Sequence, residues 1–224
     1  MSELENFYSE LYKENKNNDD IYDNNEFFGN GGNTFLDEHD INYLDEDITE
    51  GEVLNALKRS NNGSAPGLDG LPAEVYKFFW DDLRVPLMQC YKKALSDGQL
   101  SSSQRVALIC LHFKGKGLDR ELISNWRPIS LTNFDYKLLA KTFAIRLGTC
   151  IEKCIDMDQY AFIKGRNISD MLREIDDTIE YSKLSNSKSI ILSIDYAKAF
   201  DTLSSNSQML SSKLLSFMVL GKYS

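Results

Sequence analysis

The run Ser189–Ile194, "SIILSI", is almost wholly apolar and stops on the charge of Asp195. Side chains alternate across a β-strand. Ile190, Leu192 and Ile194 therefore share one face, and Ile191, Ser193 and Asp195 share the other. The first face is fully apolar and needs helices to cover it, while the second turns polar toward its end. Such a strand predicts an α+β arrangement, with helices packed on one face of a small sheet and Asp195 at the rim of the open face. A carboxylate in that position suits a hard cation such as Mg²⁺, which takes one or two protein carboxylates together with substrate phosphates. It equally suits a cap for the helix-like "YAKAF" that follows.

Helices to cover the strand are legible upstream. Thr49 with Glu52 three residues on forms a capping box, and Val53, Leu54 and Leu57 supply an apolar stripe. A turn-rich loop, "NNGSAPGLDGLP" (61–72), follows. Its Pro72 suits the first position of a helix, where its missing N–H costs nothing. "AEVYKFFWDDL" and "PLMQCYKKALSDG" read as two helices, the second stopped by Gly98. "RVALICLHFKGKG" (105–117) reads as a strand entering a basic, Gly-containing turn. Pro128 limits "SNWRPISL" (124–131) to an edge strand or a strand start. "DYKLLAKTFAIRLGTCIEKCI" predicts a helix burying Tyr136, Leu139, Ala140, Phe143, Leu147, Cys150, Ile151 and Cys154. "DQYAFIKGRN" (158–167) is a basic turn, and "SDMLREIDDTIEYSKL" a helix capped by Ser169.

Charge divides the chain. Residues 1–55 hold 16 acidic and 2 basic residues, a balance of −14; the remainder holds 18 acidic and 23 basic, a balance of +5. The first 48 residues, rich in Asn, Asp and Glu, read as an acidic, flexible linker segment. Residues 105–166 carry 11 Lys or Arg against 6 Asp or Glu, interleaved with Phe113, Trp126, Phe134, Tyr136, Tyr160 and Phe162. Base mixed with aromatic suits a surface that tracks a nucleic-acid backbone and stacks on bases, and it also suits an ordinary solvated face with core aromatics. No signal peptide or membrane-length apolar run is expected, which points to an intracellular protein without membrane or disulfides. Cys150 and Cys154 lie a helical turn apart, but His39 and His112 are distant in sequence, so these thiols read as small apolar residues rather than zinc ligands.

Taken in order, "SAPGLDGLPAEVYKFFW", "NWRPISLTNFDYKLLAKTFAIRL", "DQYAFIKGRNISD" and "SIDYAKAFD" resemble consecutive N-terminal blocks of the reverse transcriptase of LINE-type, non-LTR retrotransposons. The resemblance covers about residues 49–201. It implies a truncated polymerase right hand, with fingers and the first palm strand, followed by a divergent tail at 202–224. It also implies Mg²⁺ as cofactor, an RNA template, a DNA primer and deoxynucleotide triphosphates as partners, and a nuclear or cytoplasmic ribonucleoprotein location.

By the same resemblance Asp195 is a catalytic metal ligand, and the backbone carbonyl of Tyr196 is similar in role. Phe200 resembles the steric gate under the incoming sugar. Arg127 resembles the fingers arginine on the triphosphate, a task suited to the guanidinium fork. Lys114 or Lys116 resembles the neighbouring fingers lysine. Gln159, Lys164 and Arg166, with the "GLDG" loop, resemble template- or primer-contacting groups, and Asp201 reads as a structural cap. Ala161 stands where the family usually has Gly. The family's second palm carboxylates lie in a Tyr-x-Asp-Asp hairpin, and residues 202–224 contain no Asp or Glu. The expectation is therefore a reverse-transcriptase fragment that is inactive alone. The alternative is a non-catalytic RNA- or DNA-binding module or a decayed retroelement remnant.

Overall fold

The computed structural model describes residues 3–12, 36–155, 159–186, 190, 191 and 193. In chain order these form helices α1 (Glu3–Leu11), α2 (Glu38–Asp45), α3 (Glu50–Lys58), α4 (Ala73–Phe78) and α5 (Trp80–Asp97). Strands β1 (Ala107–Phe113) and β2 (Trp126–Thr132), then helices α6 (Phe134–Leu147) and α7 (Ile168–Leu184), follow. Short 3₁₀ turns occupy Ile123–Asn125 and Ile151–Lys153. The content is α+β, as the sequence led one to expect. The chain divides into two compact units, residues 46–147 and residues 1–45 with 148–224.

The unit 46–147 has a core of Ile48, Val53, Ala56, Leu57, Ala73, Tyr76, Tyr91, Phe134, Leu138 and Leu139. Helix α3 starts where the capping box places it: the Thr49 amide donates to Glu52 Oε2 at 2.8 Å, and the Glu52 amide donates to Thr49 Oγ1 at 3.3 Å. The same carboxylate receives Arg146 of α6, from Nε at 2.7 Å and from Nη2 at 2.7 Å. Arg146 also donates to the carbonyls of Glu46 and Asp47. Its side chain is only 3% exposed, so one buried guanidinium ties the last turn of α6 to the entry of α3. That guanidinium holds the Glu52 carboxyl well below its usual range, at about 2.

The buried face of α6 differs from the sequence expectation. It carries Phe134, Leu138, Leu139, Thr142 and Arg146, while Ala140 is exposed. The helix is turned so that two polar residues point inward. Both are satisfied there: Arg146 by its partners above, and Thr142 by donating Oγ1 to the Leu138 carbonyl at 2.8 Å. The helix also ends at Leu147, before Gly148, instead of running on to Ile155.

Two other boundaries moved. The break between α4 and α5 falls at Phe79, with φ −100° and ψ 28°, so Pro86 lies inside α5. Asp81 and Asp82 sit in the first turn of α5, where a carboxylate complements the helix dipole. Proline at 86 removes one internal hydrogen bond, and packing of Leu83, Leu87, Met88 and Tyr91 against the core offsets that loss. Pro72 is the N-cap of α4, not its first helical residue. Gly98 ends α5 in the left-handed conformation, as expected.

Strands β1 and β2 pair antiparallel from Ala107 opposite Thr132 to Phe113 opposite Trp126. Among the described residues the sheet has these two strands, so each has an outer edge. This accommodates Pro128, opposite Leu111, in mid-strand.

In the other unit, Asp37 caps α2 by accepting from the Asp40 amide at 2.8 Å. Lys153 Nζ bonds both Asp37 and Asp40. Helix α7 is capped by Asn167, whose side chain accepts from the Ser169 amide at 3.0 Å, so the cap lies two residues before the expected Ser169. No residue of α7 is buried. The strand expected at 189–194 lies mostly outside the described residues; Ile190 and Ile191 are described, exposed and assigned to no strand.

Candidate nucleotide and nucleic-acid surfaces

The strand register sorts the hairpin side chains into two faces. Leu108, Cys110 and His112 stand opposite Leu131, Ile129 and Arg127. All but Leu131 are exposed. This is an apolar sheet face with two basic groups, His112 and Arg127, side by side at one end. The Arg127 guanidinium forms no hydrogen bond or ion pair with any described residue, so its five N–H donors are available.

The chain leaves β1 at Lys114, whose amide donates to the Asn125 carbonyl at 2.9 Å and whose Nζ donates to the Ser124 carbonyl at 2.6 Å. The connection is closed further by Trp126 Nε1 donating to the Arg120 carbonyl at 3.0 Å and by Arg120 stacked 4.9 Å over the Phe113 ring. Lys114 is thereby fixed at the mouth of the connection, two positions along the ladder from Arg127's partner His112. Lys116 is exposed in the turn beyond.

The "GLDG" loop is seated on the start of α6. Asn133 Oδ1 accepts from the Asp69 amide at 3.3 Å, and Asn133 Nδ2 donates to the Ser103 carbonyl at 3.1 Å. Gly67 is packed so tightly there that a Cβ would lie 2.5 Å from the Asn133 backbone nitrogen and 2.6 Å from the Thr132 carbonyl carbon.

In the other unit, Gln159, Lys164 and Arg166 share one loop. Arg166 is half-buried and donates to the carbonyls of Gln159 at 2.7 Å and Ile155 at 3.2 Å. Gln159 Nε2 donates to the Ala161 carbonyl at 3.2 Å. Two of the three groups therefore shape the loop, while Lys164 is exposed without a described partner. Phe162 stands fully exposed at φ 64° beside it. The open groove along this loop and α7, about 700 Å³, is lined by Arg166 and Arg173 but also by Asp170, Glu174 and Asp177. That acidic lining disfavours a polyanion in the groove itself.

Asp195, Tyr196 and Phe200 lie outside the described residues, as does Asp201. Among the described residues, Asp37, His39 and Asp40 bring their ligand atoms within 4.8 Å of one another. Lys153 Nζ already bonds both carboxylates, so an ammonium occupies the place a cation would take. Cys90, Cys110, Cys150 and Cys154 are all free thiols. No helix among the described residues is long and apolar enough to cross a membrane.

A profile of the family "Reverse transcriptase (RNA-dependent DNA polymerase)" matches residues 114–219, from Lys114 through Arg127 and Asp195 into the stretch beyond 201. The chain is 38% identical over 158 residues to the transposon TX1 uncharacterized 149 kDa protein of Xenopus laevis, a span of 70% of this chain and 12% of that one. It is 34% identical over 164 residues to the retrovirus-related Pol polyprotein from type-1 retrotransposable element R2 of Popillia japonica, or 71% of this chain and 21% of that one. With the corresponding R1 polyprotein of Bradysia coprophila it shares 27% over 165 residues, or 71% and 16%. Residues 114–219 thus carry a reverse transcriptase family match, and about 70% of the chain is similar to proteins of transposons and type-1 retrotransposable elements. The chain spans between about an eighth and a fifth of the length of these relatives.

Proposed function

We propose that residues 49–201 supply the fingers and the start of the palm of an RNA-directed DNA polymerase. The observation that carries this reading is the family match, which runs continuously through Lys114, Arg127 and Asp195. In this reading Arg127 grips and orients the triphosphate of the incoming deoxynucleotide, and Lys114 adds a second positive charge beside it. Phe200 fills the space that a 2′-OH would need. Gln159 and Arg166 shape a loop that presents Lys164 to the template or primer backbone.

The donor set at the end of the expected palm strand suits Mg²⁺: a carboxylate from Asp195 and a carbonyl oxygen from Tyr196 are both hard oxygen ligands. Bound there, the ion would supply activation of the attacking 3′-oxygen and stabilisation of the oxygen of the departing pyrophosphate. Residues 202–224 add no carboxylate. In this reading Asp195 is the one carboxylate assigned to the metal site, and the chain by itself binds nucleic acid without extending a primer.

The test is the purified chain on a DNA primer annealed to an RNA template, with Mg²⁺ and deoxynucleotides. The expected result is salt-dependent binding of the hybrid and no extension. Absence of binding would count against the nucleic-acid reading, and extension abolished by Asp195→Ala would overturn the incompleteness of the site.

A further inference from the structure

The ladder between β1 and β2 sorts backbone groups as well as side chains. The Lys114 amide donates to the Asn125 carbonyl at 2.9 Å, in register with the strands. Hydrogen-bonded pairs alternate with non-hydrogen-bonded ones along such a ladder. Leu108, Cys110 and His112 therefore turn their amides and carbonyls inward, to β2. Ala107, Ile109, Leu111 and Phe113 turn theirs outward, to the far edge of β1. By the same alternation Trp126, Pro128, Ser130 and Thr132 face the far edge of β2.

The two edges are not equivalent. On β2 the Trp126 amide donates to the Ile123 carbonyl, and Pro128 has no N–H to offer. That edge is blunted for a pairing strand. On β1 every outward residue keeps its amide, and none of these amides bonds a described residue. Ala107–Phe113 contains no Lys, Arg, Asp, Glu or Pro. Leu108, Ile109 and Cys110 are exposed on it. Edge strands are ordinarily protected by charge, proline or a bulge, and β1 has none of these.

What completes this edge follows from its own symmetry. Cys110 is the midpoint of the seven residues of β1. Two copies of β1, laid antiparallel about a twofold axis at Cys110, pair Ala107 with Phe113 and Ile109 with Leu111 of the second copy. These are the outward-facing residues, so each outward amide meets an outward carbonyl. Cys110 meets Cys110, and Leu108 meets His112, in the non-hydrogen-bonded positions. Charges that flank the strand do not oppose one another: Arg105 falls opposite Gly115 of the second copy, and Lys114 opposite Val106. A shift of one residue would set outward groups against inward ones. A shift of two would shorten the paired stretch.

We propose that the outer edge of β1 is an interface between two copies of this chain, whose hairpins join into one four-stranded antiparallel sheet. The contact is isologous. The blunted β2 edges lie at its two ends, so the assembly closes at the dimer. This inference concerns assembly and does not rest on the polymerase reading above.

The test is sedimentation equilibrium of the full chain across a concentration series in reducing buffer. The expected result is a monomer in equilibrium with a species of twice the 25.6 kDa chain mass. Ile109→Pro removes an outward donor and leaves the bonds between β1 and β2 in place. The axis repeats the loss, so association is expected to weaken about tenfold or more. Ser130→Pro, the same change on the far edge of β2, is expected to leave association unchanged. If Ile109→Pro fails to fold by circular dichroism, Cys110→Lys serves in its place. It sets two ammonium groups face to face on the axis and is expected to weaken association about tenfold, more at low salt. Non-hydrogen-bonded partners have Cα atoms about 4.5 Å apart, within disulfide range. Diamide, which takes up the two electrons and two protons that a pair of thiols releases, is therefore expected to trap a covalent dimer that Cys110→Ser abolishes.

A chain that stays monomeric throughout the series would overturn the proposal, as would a dimer indifferent to both Ile109→Pro and Cys110→Lys. Open-ended growth beyond the dimer would overturn the closed, twofold pairing. A monomer whose Ile109 and Leu111 amides resist hydrogen exchange would assign the edge to another segment of the same chain and overturn the second copy as its occupant.

Discussion

Two arginines set two regions of the molecule apart. Arg146, in the unit 46–147, is buried against Glu52 and two carbonyls at the foot of a continuous apolar core. Arg166 lies in the loop before α7, half-buried and bonded to two carbonyls, and the helix that follows buries none of its residues. Ile168, Leu172 and Leu184 of α7 are all more than half exposed. The comparison shows where stability resides. The first region holds itself together by burying charge against charge beneath apolar packing. The second is shaped by local hydrogen bonds and contributes surface.

The largest expected effect falls on the first region. Arg146→Ala leaves the Glu52 carboxylate half of a broken, partly buried pair, a change that costs about 3–5 kcal/mol. A urea titration should show the midpoint collapse, and a loss below about 1 kcal/mol would break the contrast. The same pair makes stability depend on acid. The carboxyl of Glu52 is depressed in the fold to about 2. Its contribution is therefore complete above the ordinary glutamate value and is lost as pH falls through about 2. Glu52→Gln should flatten the urea midpoint across pH 5 to 2, where the wild type declines.

Gly67→Ala comes next. The new methyl would meet backbone atoms of Asn133 and Thr132, which cannot swing aside. Overpacking of this kind costs about 1–3 kcal/mol, and thermal unfolding followed by circular dichroism measures it. Thr49→Ala removes one half of the capping box and should cost about 1 kcal/mol in the same assay. The smallest effect belongs to the second region: Leu172→Ala in α7 should change stability by no more than about 0.5 kcal/mol. A larger loss would mean that α7 is packed against something, and the contrast between the regions would have to be redrawn.

How much of this was legible in the sequence depended on how local the cause was. The capping box at Thr49 and the stop at Gly98 follow from chemistry within a few residues, and each stands where it was read. The buried face of α6 was not legible, because periodicity favours apolar residues. It could not anticipate that Arg146 would find Glu52 ninety-four positions upstream. The α4–α5 break was misplaced for a related reason: proline is a local signal that tertiary packing of Leu83 and Leu87 overrode.

At the candidate site, Arg127 was singled out by its block and does stand exposed on the hairpin. Asp195, Tyr196 and Phe200 rest on the family resemblance.

The central claim is that Arg127 is an outward-facing phosphate-binding group and no part of the scaffold. It is tested most directly by titrating the chain with a fluorescent deoxynucleoside triphosphate in Mg²⁺, alongside Arg127→Ala. Loss of charge-assisted hydrogen bonds to the triphosphate should weaken binding about tenfold or more, with the urea midpoint unchanged. Equal affinity in the two proteins, or a midpoint that falls with Arg127→Ala, would contradict the account.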